Sequence, residues 1–138
     1  MSKVSVSMQL GASAERAWRV AGGFQGLMDW AGGLQSCTAE QGGRVRRLVT
    51  GDSAVIVERL EAFSESEKFY SYSIVESPLP VTNYQSTLKV IPVFGKDECI
   101  VEWSSNFYPA PEAEAQMEAL FTAIYQGSLE ELKRTLGL

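Results

Sequence analysis

Apolar and polar residues alternate in the first segment of the chain. The apolar positions are Val4, Val6, Met8 and Leu10, and the residues between them are polar. An alternation with a period of two predicts a β-strand that buries one of its faces. After a break at Gly11, Ser13 is placed to cap a short helix through its hydroxyl, and Gly22-Gly23 ends that helix.

Six further strand patterns follow a second short helical turn, which is predicted over residues 24–30. The predicted strands cover residues 34–40, 44–50, 54–63, 69–76, 81–93 and 99–108. Glycine, proline or a short polar segment separates each strand from the next, as in β-hairpins. Because consecutive hairpins pair neighbouring strands in opposite directions, we expect these strands to form one antiparallel sheet.

A long amphipathic helix is predicted from Pro111, which suits a first helical turn, to about Leu136. Its apolar positions recur at spacings of three and four, at Met117, Leu120, Phe121, Ile124, Leu132 and Leu136. Such a stripe has to be buried, and the inner face of the sheet is the only large apolar surface available. The chain is therefore expected to form one α+β domain over residues 1–138.

Strand alternation places a pair of opposite charges on the inward face of the sheet. Arg46 shares a face with Leu48 in one strand, and Glu58 lies between Ile56 and Leu60 in the next. A lone buried carboxylate would be costly, and an arginine partner offsets that cost. Three interpretations stay open here: a structural ion pair, direct ligand contact, or Glu58 as a general base.

Large aromatic residues share the same inward face. An apolar wall with a few convergent polar groups is typical of a ligand pocket, although core packing explains aromatic residues equally well. Trp30, in a loop beside the sheet, could be a pocket lid or an anchor. The predicted ligand-binding residues are Trp30, Arg46, Glu58, Tyr72, Tyr84, Trp103, Phe107 and Phe121. No catalytic residue is assigned.

Composition and charge exclude several classes of function. The net charge of −5 disfavours nucleic acid, because phosphate backbones repel an acidic chain. Histidine is absent, which removes histidine bases and histidine-ligated zinc. No ligand spacing indicates a metal site, and the glycine pairs do not form a phosphate-binding motif. We therefore expect no metal and no cofactor.

The chain contains no apolar run long enough to span a membrane and no secretory signal pattern at its start. Its two cysteines, Cys37 and Cys99, show no spacing that argues for a disulfide. These features predict a cytoplasmic protein with reduced thiols.

The order of elements and several short segments together resemble the START-like (SRPBCC) superfamily, and within it the bacterial polyketide cyclase/dehydrase-like group. The segments are Ala17-Trp18, Trp30 and residues 43–46, 58–60, 70–74, 80–84, 101–103, 124–125 and 132–133. The resemblance implies a helix-grip fold, in which a seven-stranded antiparallel sheet wraps around the C-terminal helix and leaves a cavity for hydrophobic molecules. No catalytic set of the wider group can be matched here.

Three functions remain open from the sequence. The first is a carrier or sensor that binds a small hydrophobic or aromatic molecule in the cavity. The second is a cyclase- or dehydratase-like enzyme that acts on an aromatic or polyketide-like substrate, with Glu58 as acid or base. The third is a protein-interaction module that recruits a partner through an edge strand or through the outer sheet face, where Val55 and Val57 are expected to be exposed. Homodimerisation through that face is its mildest version.

Overall fold

The computed structural model describes residues 1–138 and contains seven strands and two α-helices. The strands are β1 (Ser2–Leu10), β2 (Leu34–Glu40), β3 (Val45–Thr50), β4 (Val55–Ser64), β5 (Phe69–Glu76), β6 (Val81–Pro92) and β7 (Cys99–Pro109). The helices are α1 (Ala14–Ala21) and α2 (Glu114–Thr135), with short 3₁₀ segments at Phe24–Asp29, Gln41–Gly43 and Pro111–Ala113. These bounds follow the sequence pattern closely.

All seven strands form one antiparallel sheet in the order β1-β7-β6-β5-β4-β3-β2. Consecutive hairpins join β2 through β7, and β1 completes the sheet by pairing with β7. The long helix α2 packs against the inner face of this sheet and contacts β1 and β7. The α+β helix-grip architecture expected from the sequence is therefore confirmed.

Irregular pairing interrupts the ladders at several points along the sheet. The β4–β5 ladder shifts register on both sides of the segment Glu58–Leu60. The β6–β7 ladder shifts between Thr82 and Gln85, and Asn83 at that point has φ 51°. Bulges of this kind bend a strand and increase its local twist, so they help to curve the sheet around α2.

The buried side of α2 is rotated from the predicted stripe. Its buried residues are Met117, Phe121, Tyr125, Ser128, Leu129 and Leu132. Leu120 is half-buried and packs against the core, whereas Ile124 is 42% exposed, so the prediction was wrong at Ile124. Both lie at the edge of the helix–sheet contact, where a cavity separates α2 from the sheet.

Helix α1 begins and ends as its sequence predicts. The hydroxyl of Ser13 accepts a hydrogen bond from the backbone N–H of Arg16 at 3.2 Å, which caps the first turn. Gly22 ends the helix directly against the indole of Trp18, so close that an added Cβ would lie 2.4 Å from a ring carbon. Glycine at this position therefore allows Trp18 to pack under the helix end.

The outer sheet face differs from expectation at Val57. This residue is buried and Val55 is half-buried, whereas both were expected to be exposed. Val57 pairs with Arg47 of β3 and Glu76 of β5, so two long side chains flank a short one on the same face. The aliphatic stems of such residues cover a neighbouring valine while their charged ends stay in water.

Candidate functional site

A cavity of about 400 Å³ lies between the inner face of the sheet and α2. Fifteen of its 24 lining residues are hydrophobic, so its wall is mainly apolar. The exposed lining residues are Gly32, Gly33, Gly51, Asp52, Pro78 and Ile124, and they mark its mouth. Loops at the end of the sheet and one side of α2 thus frame an entrance to an otherwise buried space.

Arg46 and Glu58 lie at the buried end of this cavity as a register pair of β3 and β4. Arg46 Nε donates to Glu58 Oε1 at 2.8 Å. Nη2 also lies 2.8 Å from Oε1, as an ion contact without the geometry of a second hydrogen bond. The inward ion pair expected from strand alternation is therefore present, and it is not bidentate.

Further contacts hold the guanidinium of Arg46 in place. Its Nη1 donates to the carbonyl of Phe24 at 2.7 Å and to the hydroxyl of Tyr70 at 3.4 Å. The guanidinium carbon lies 4.2 Å from the ring centroid of Phe24 and 4.7 Å from that of Tyr72. Hydrogen bonds and cation–π contacts offset part of the cost of burying this charge.

Burial and the ion pair act in opposite directions on the pKa of Glu58. Desolvation raises the pKa of this carboxyl, and the nearby guanidinium of Arg46 opposes that effect, with a net shift above the usual glutamate value. Glu58 therefore takes up a proton at a higher pH than an exposed glutamate does.

Hydroxyl groups from two strands and α2 form a second polar cluster in the cavity. The hydroxyls of Tyr84 and Tyr125 are hydrogen-bonded to each other. The hydroxyl oxygen of Tyr72 lies 3.4 Å from that of Tyr84. The indole N–H of Trp103 donates to Tyr72 at 3.2 Å and to Ser86 at 3.0 Å. The sheet and the helix are thus linked through buried hydrogen bonds as well as through packing.

Burial keeps these tyrosines protonated. It raises the pKa of Tyr125 to about 12, and it raises the pKa values of Tyr72 and Tyr84 well above that of a free tyrosine. The hydroxyls are consequently uncharged at physiological pH, and none of them is a phenolate base.

The β6 bulge positions Tyr84 over the cavity. Residues Asn83 and Tyr84 together oppose Phe107, so β6 holds one residue more than β7 at this point. Asn83 takes a positive φ, a conformation that asparagine tolerates better than most residues. Bulges often re-aim a side chain next to a functional site, and this one directs Tyr84 towards Tyr125 of α2.

Six of the eight predicted ligand-binding residues line the cavity. They are Arg46, Glu58, Tyr72, Tyr84, Trp103 and Phe121. Trp30 does not line it and packs behind Trp103 with their ring centroids 5.6 Å apart. Phe107 is also outside the lining and packs against Tyr84 and Phe121. These two side chains support the cavity wall, and their contact with a ligand stays a prediction.

Several lining residues were missed by the sequence interpretation. Tyr125 is the most important, because it is part of the tyrosine cluster and stacks on Trp103 with a centroid distance of 4.6 Å. Its position four residues after Phe121 places it on the same helix face, which was the available signal. Leu79 and the glycines at the mouth carried no signal, because their place depends on loop geometry.

The structure contains no group of three or more acidic, cysteine or histidine residues arranged to hold a metal ion. Neither α-helix has the length and hydropathy required to cross a bilayer. Both cysteines are free, and Sγ of Cys37 lies 3.8 Å from the carbonyl of Gln25.

Solved structures with the same fold include proteins of different sources. The Bacillus cereus protein XoxI is 38% identical, with a TM-score of 0.94 over 99% of this chain and 96% of that one. A START superfamily protein from Mycobacterium smegmatis is 17% identical, with a TM-score of 0.79 over 98% and 97%. Norcoclaurine synthase from Thalictrum flavum, solved with dopamine and hydroxybenzaldehyde, is 20% identical, with a TM-score of 0.77 over 96% and 84%.

No curated protein sequence matches this chain. The family model described as polyketide cyclase/dehydrase and lipid transport matches residues 1–137. That match, the helix-grip fold and the apolar cavity agree with the resemblance expected from the sequence. The chain belongs to the polyketide cyclase/dehydrase and lipid transport family.

Proposed function

We propose that this protein binds a small hydrophobic or aromatic molecule in the cavity between the sheet and α2, as a carrier or sensor. The observation that carries the proposal is the mainly apolar cavity of about 400 Å³ with a mouth at the end of the sheet. This volume lies in the range of about 300–1,000 Å³ that small-molecule pockets occupy. An apolar ligand gains affinity there by leaving water.

The family and its fold support this proposal. The name of the family that matches residues 1–137 includes lipid transport as well as cyclisation. The cavity wall of this chain offers aromatic rings from the sheet and from α2, at Tyr72, Trp103 and Phe121. Rigid rings provide contact area without a large loss of side-chain entropy on binding.

Closing the mouth of the cavity tests the proposal. Ile124 is exposed at the mouth, so we expect Ile124→Trp to obstruct entry and weaken binding of the neutral dye Nile red about tenfold or more. Gln126→Trp is the matched control, because Gln126 is exposed on the same helix but does not line the cavity. Fluorescence titration measures both, and equal binding by the two variants would contradict the proposed site.

Native mass spectrometry identifies the natural ligand class. A protein purified gently from its own source should carry an apolar adduct that disappears under denaturing conditions. The same measurement on Ile124→Trp should show less adduct than on Gln126→Trp. An adduct of equal amount in both variants would place the ligand outside the cavity.

A second candidate function is acid–base catalysis by Glu58. The supporting observation is that a carboxyl with a raised pKa lines the cavity and has one oxygen without a recorded donor. If the cavity ligand is a substrate, Glu58→Gln should retain its binding and lose its conversion. Full conversion by Glu58→Gln would exclude this candidate and leave the binding function intact.

A further inference from the structure

The buried end of the cavity holds an ion pair with one oxygen whose hydrogen-bonding capacity is not used within the protein. Arg46 is fully buried, and its Nε and Nη2 both lie 2.8 Å from Oε1 of Glu58. No group of the protein donates a hydrogen bond to Oε2 of Glu58. A carboxylate oxygen held away from water without a donor is costly, so a ligand that supplies the donor lowers this cost when it binds.

The charges at this end of the cavity determine which ligands it tolerates. Arg46 and Glu58 neutralise each other, and Asp52 at the mouth is the only other charged lining residue. An anionic ligand would meet the carboxylate of Glu58, and a cationic ligand would meet the guanidinium of Arg46. Either would also lose its hydration on entering a mainly apolar space. An uncharged ligand avoids both costs.

The hydroxyls of the tyrosine cluster are occupied by hydrogen bonds within the protein, so polar groups of a ligand are expected to bind the ion pair instead. Tyr84 and Tyr125 are hydrogen-bonded to each other, and Tyr72 accepts from Trp103. Their hydroxyls are thus engaged within the protein, while the rings of Tyr72, Tyr84 and Trp103 form part of the cavity wall. The wall therefore favours a ligand with a ring system, and Glu58 of the ion pair offers the unused oxygen.

We propose that the cavity selects uncharged ring compounds that carry a hydroxyl group, and that this hydroxyl binds the Arg46–Glu58 pair. The hydroxyl donates its proton to Oε2 of Glu58. Neither a methyl group nor an ether can donate to this oxygen. This inference rests on the proposed binding function and specifies the chemistry of its ligand.

Two probes of nearly the same shape test the inference by isothermal titration calorimetry. 2-Naphthol carries a hydroxyl where 2-methylnaphthalene carries a methyl group. A wholly apolar cavity would prefer the methyl compound, because an unpaired hydroxyl loses its hydrogen bonds to water. We expect the reverse, with 2-naphthol bound about tenfold tighter, since its hydroxyl donates to a charged acceptor.

A double variant, Arg46→Met with Glu58→Met, separates the two levels of the proposal. Replacing both partners of a buried ion pair by apolar residues of similar length is often tolerated. We expect this variant to bind 2-methylnaphthalene and to lose the preference for 2-naphthol. Arg47→Met with Glu40→Met is the matched control, because it removes a surface ion pair that does not line the cavity and should keep the preference. If the double variant does not fold, Glu58→Gln should fold and show a reduced preference.

Each outcome bears on a defined part of the proposal. If 2-methylnaphthalene binds the wild-type protein as tightly as 2-naphthol, the hydroxyl inference is overturned and the binding function stands. A preference for 2-naphthol that persists in the double variant overturns the assignment to the ion pair. Tighter binding of 2-naphthoate than of 2-naphthol overturns the selection of uncharged ligands. If none of the probes binds, the proposed function fails together with the inference.

Discussion

At the scale of single residues, Arg46 decides the chemistry of the cavity. It is completely buried, and its guanidinium contacts Glu58, the Phe24 carbonyl and three aromatic rings. Strand alternation predicted the inward position of Arg46 and its pairing with Glu58. The Phe24 carbonyl could not be anticipated, because it comes from a 3₁₀ segment distant in sequence whose path depends on packing.

Removing Arg46 should be strongly destabilising. In Arg46→Ala the carboxyl of Glu58 stays buried without its partner, and we expect a loss of about 3–5 kcal/mol in the free energy of unfolding. Urea denaturation measures this loss. Arg47→Ala is the control, because Arg47 pairs with Glu40 at the surface and should have a far smaller effect. A loss below about 1 kcal/mol for Arg46→Ala would mean that the pair contributes little.

The raised pKa of Glu58 predicts a pH-dependent stability. Because the folded state holds this proton more tightly than the unfolded state, the contribution is fully present below the ordinary glutamate pKa. It is lost as the pH rises through the higher pKa of the folded state. The free energy of unfolding of the wild type, minus that of Glu58→Gln, should therefore fall as the pH rises above about 4 and then level off.

Urea denaturation of both proteins between about pH 4 and pH 8 gives this difference, provided that each unfolds in two states. If the free-energy difference between the wild type and Glu58→Gln grows with pH over the same interval, the pKa of Glu58 is lowered in the folded state instead of raised. In that case the attraction of Arg46 would outweigh the desolvation of Glu58.

At the scale of elements, the strands were predictable and the rotation of α2 was not. Alternation fixes which strand residues face inward, so Tyr72, Tyr84 and Trp103 were assigned to the correct side. The helix pattern allowed either Ile124 or Tyr125 at the centre of the buried face, because both fit a spacing of three or four. In the structure Tyr125 is buried and its hydroxyl is hydrogen-bonded to that of Tyr84, whereas Ile124 lies exposed at the cavity mouth.

Substitution by alanine should change the stability of the protein in opposite directions at two glycines, Gly22 at the end of α1 and Gly127 inside α2. At Gly22 an added Cβ would lie 2.4 Å from the Trp18 ring, so Gly22→Ala should destabilise by about 1–3 kcal/mol. At Gly127, inside α2, no heavy atom beyond the adjacent residues and the backbone of the same helix lies within 4 Å of an added Cβ. Gly127→Ala should therefore stabilise by up to about 1 kcal/mol through helix propensity alone.

Thermal or urea denaturation of the two variants measures both effects. The comparison is internal, since the same substitution is made at two glycines that differ in their surroundings. Equal destabilisation by both variants would contradict the close packing of Trp18 beneath the end of α1.

At the scale of the whole molecule, the sequence predicts the fold more completely than the site. Hairpin order and the C-terminal helix follow from local patterns, and these are enough to build the curved sheet around α2. The cavity depends on where the helix and the sheet fail to touch, which no local pattern encodes. Its mouth includes Gly32, Gly51 and Pro78. In the sequence these residues indicate turns, and nothing in them predicts the entrance of a ligand cavity.

A crystal structure of the protein grown with 2-methylnaphthalene tests the central claim most directly. That claim is that the space between the sheet and α2 accepts an apolar molecule. The account predicts density for one ring system inside the cavity, in contact with Tyr72, Trp103 and Phe121. A cavity filled by its own side chains, with no probe inside it at saturating concentration, would contradict the account.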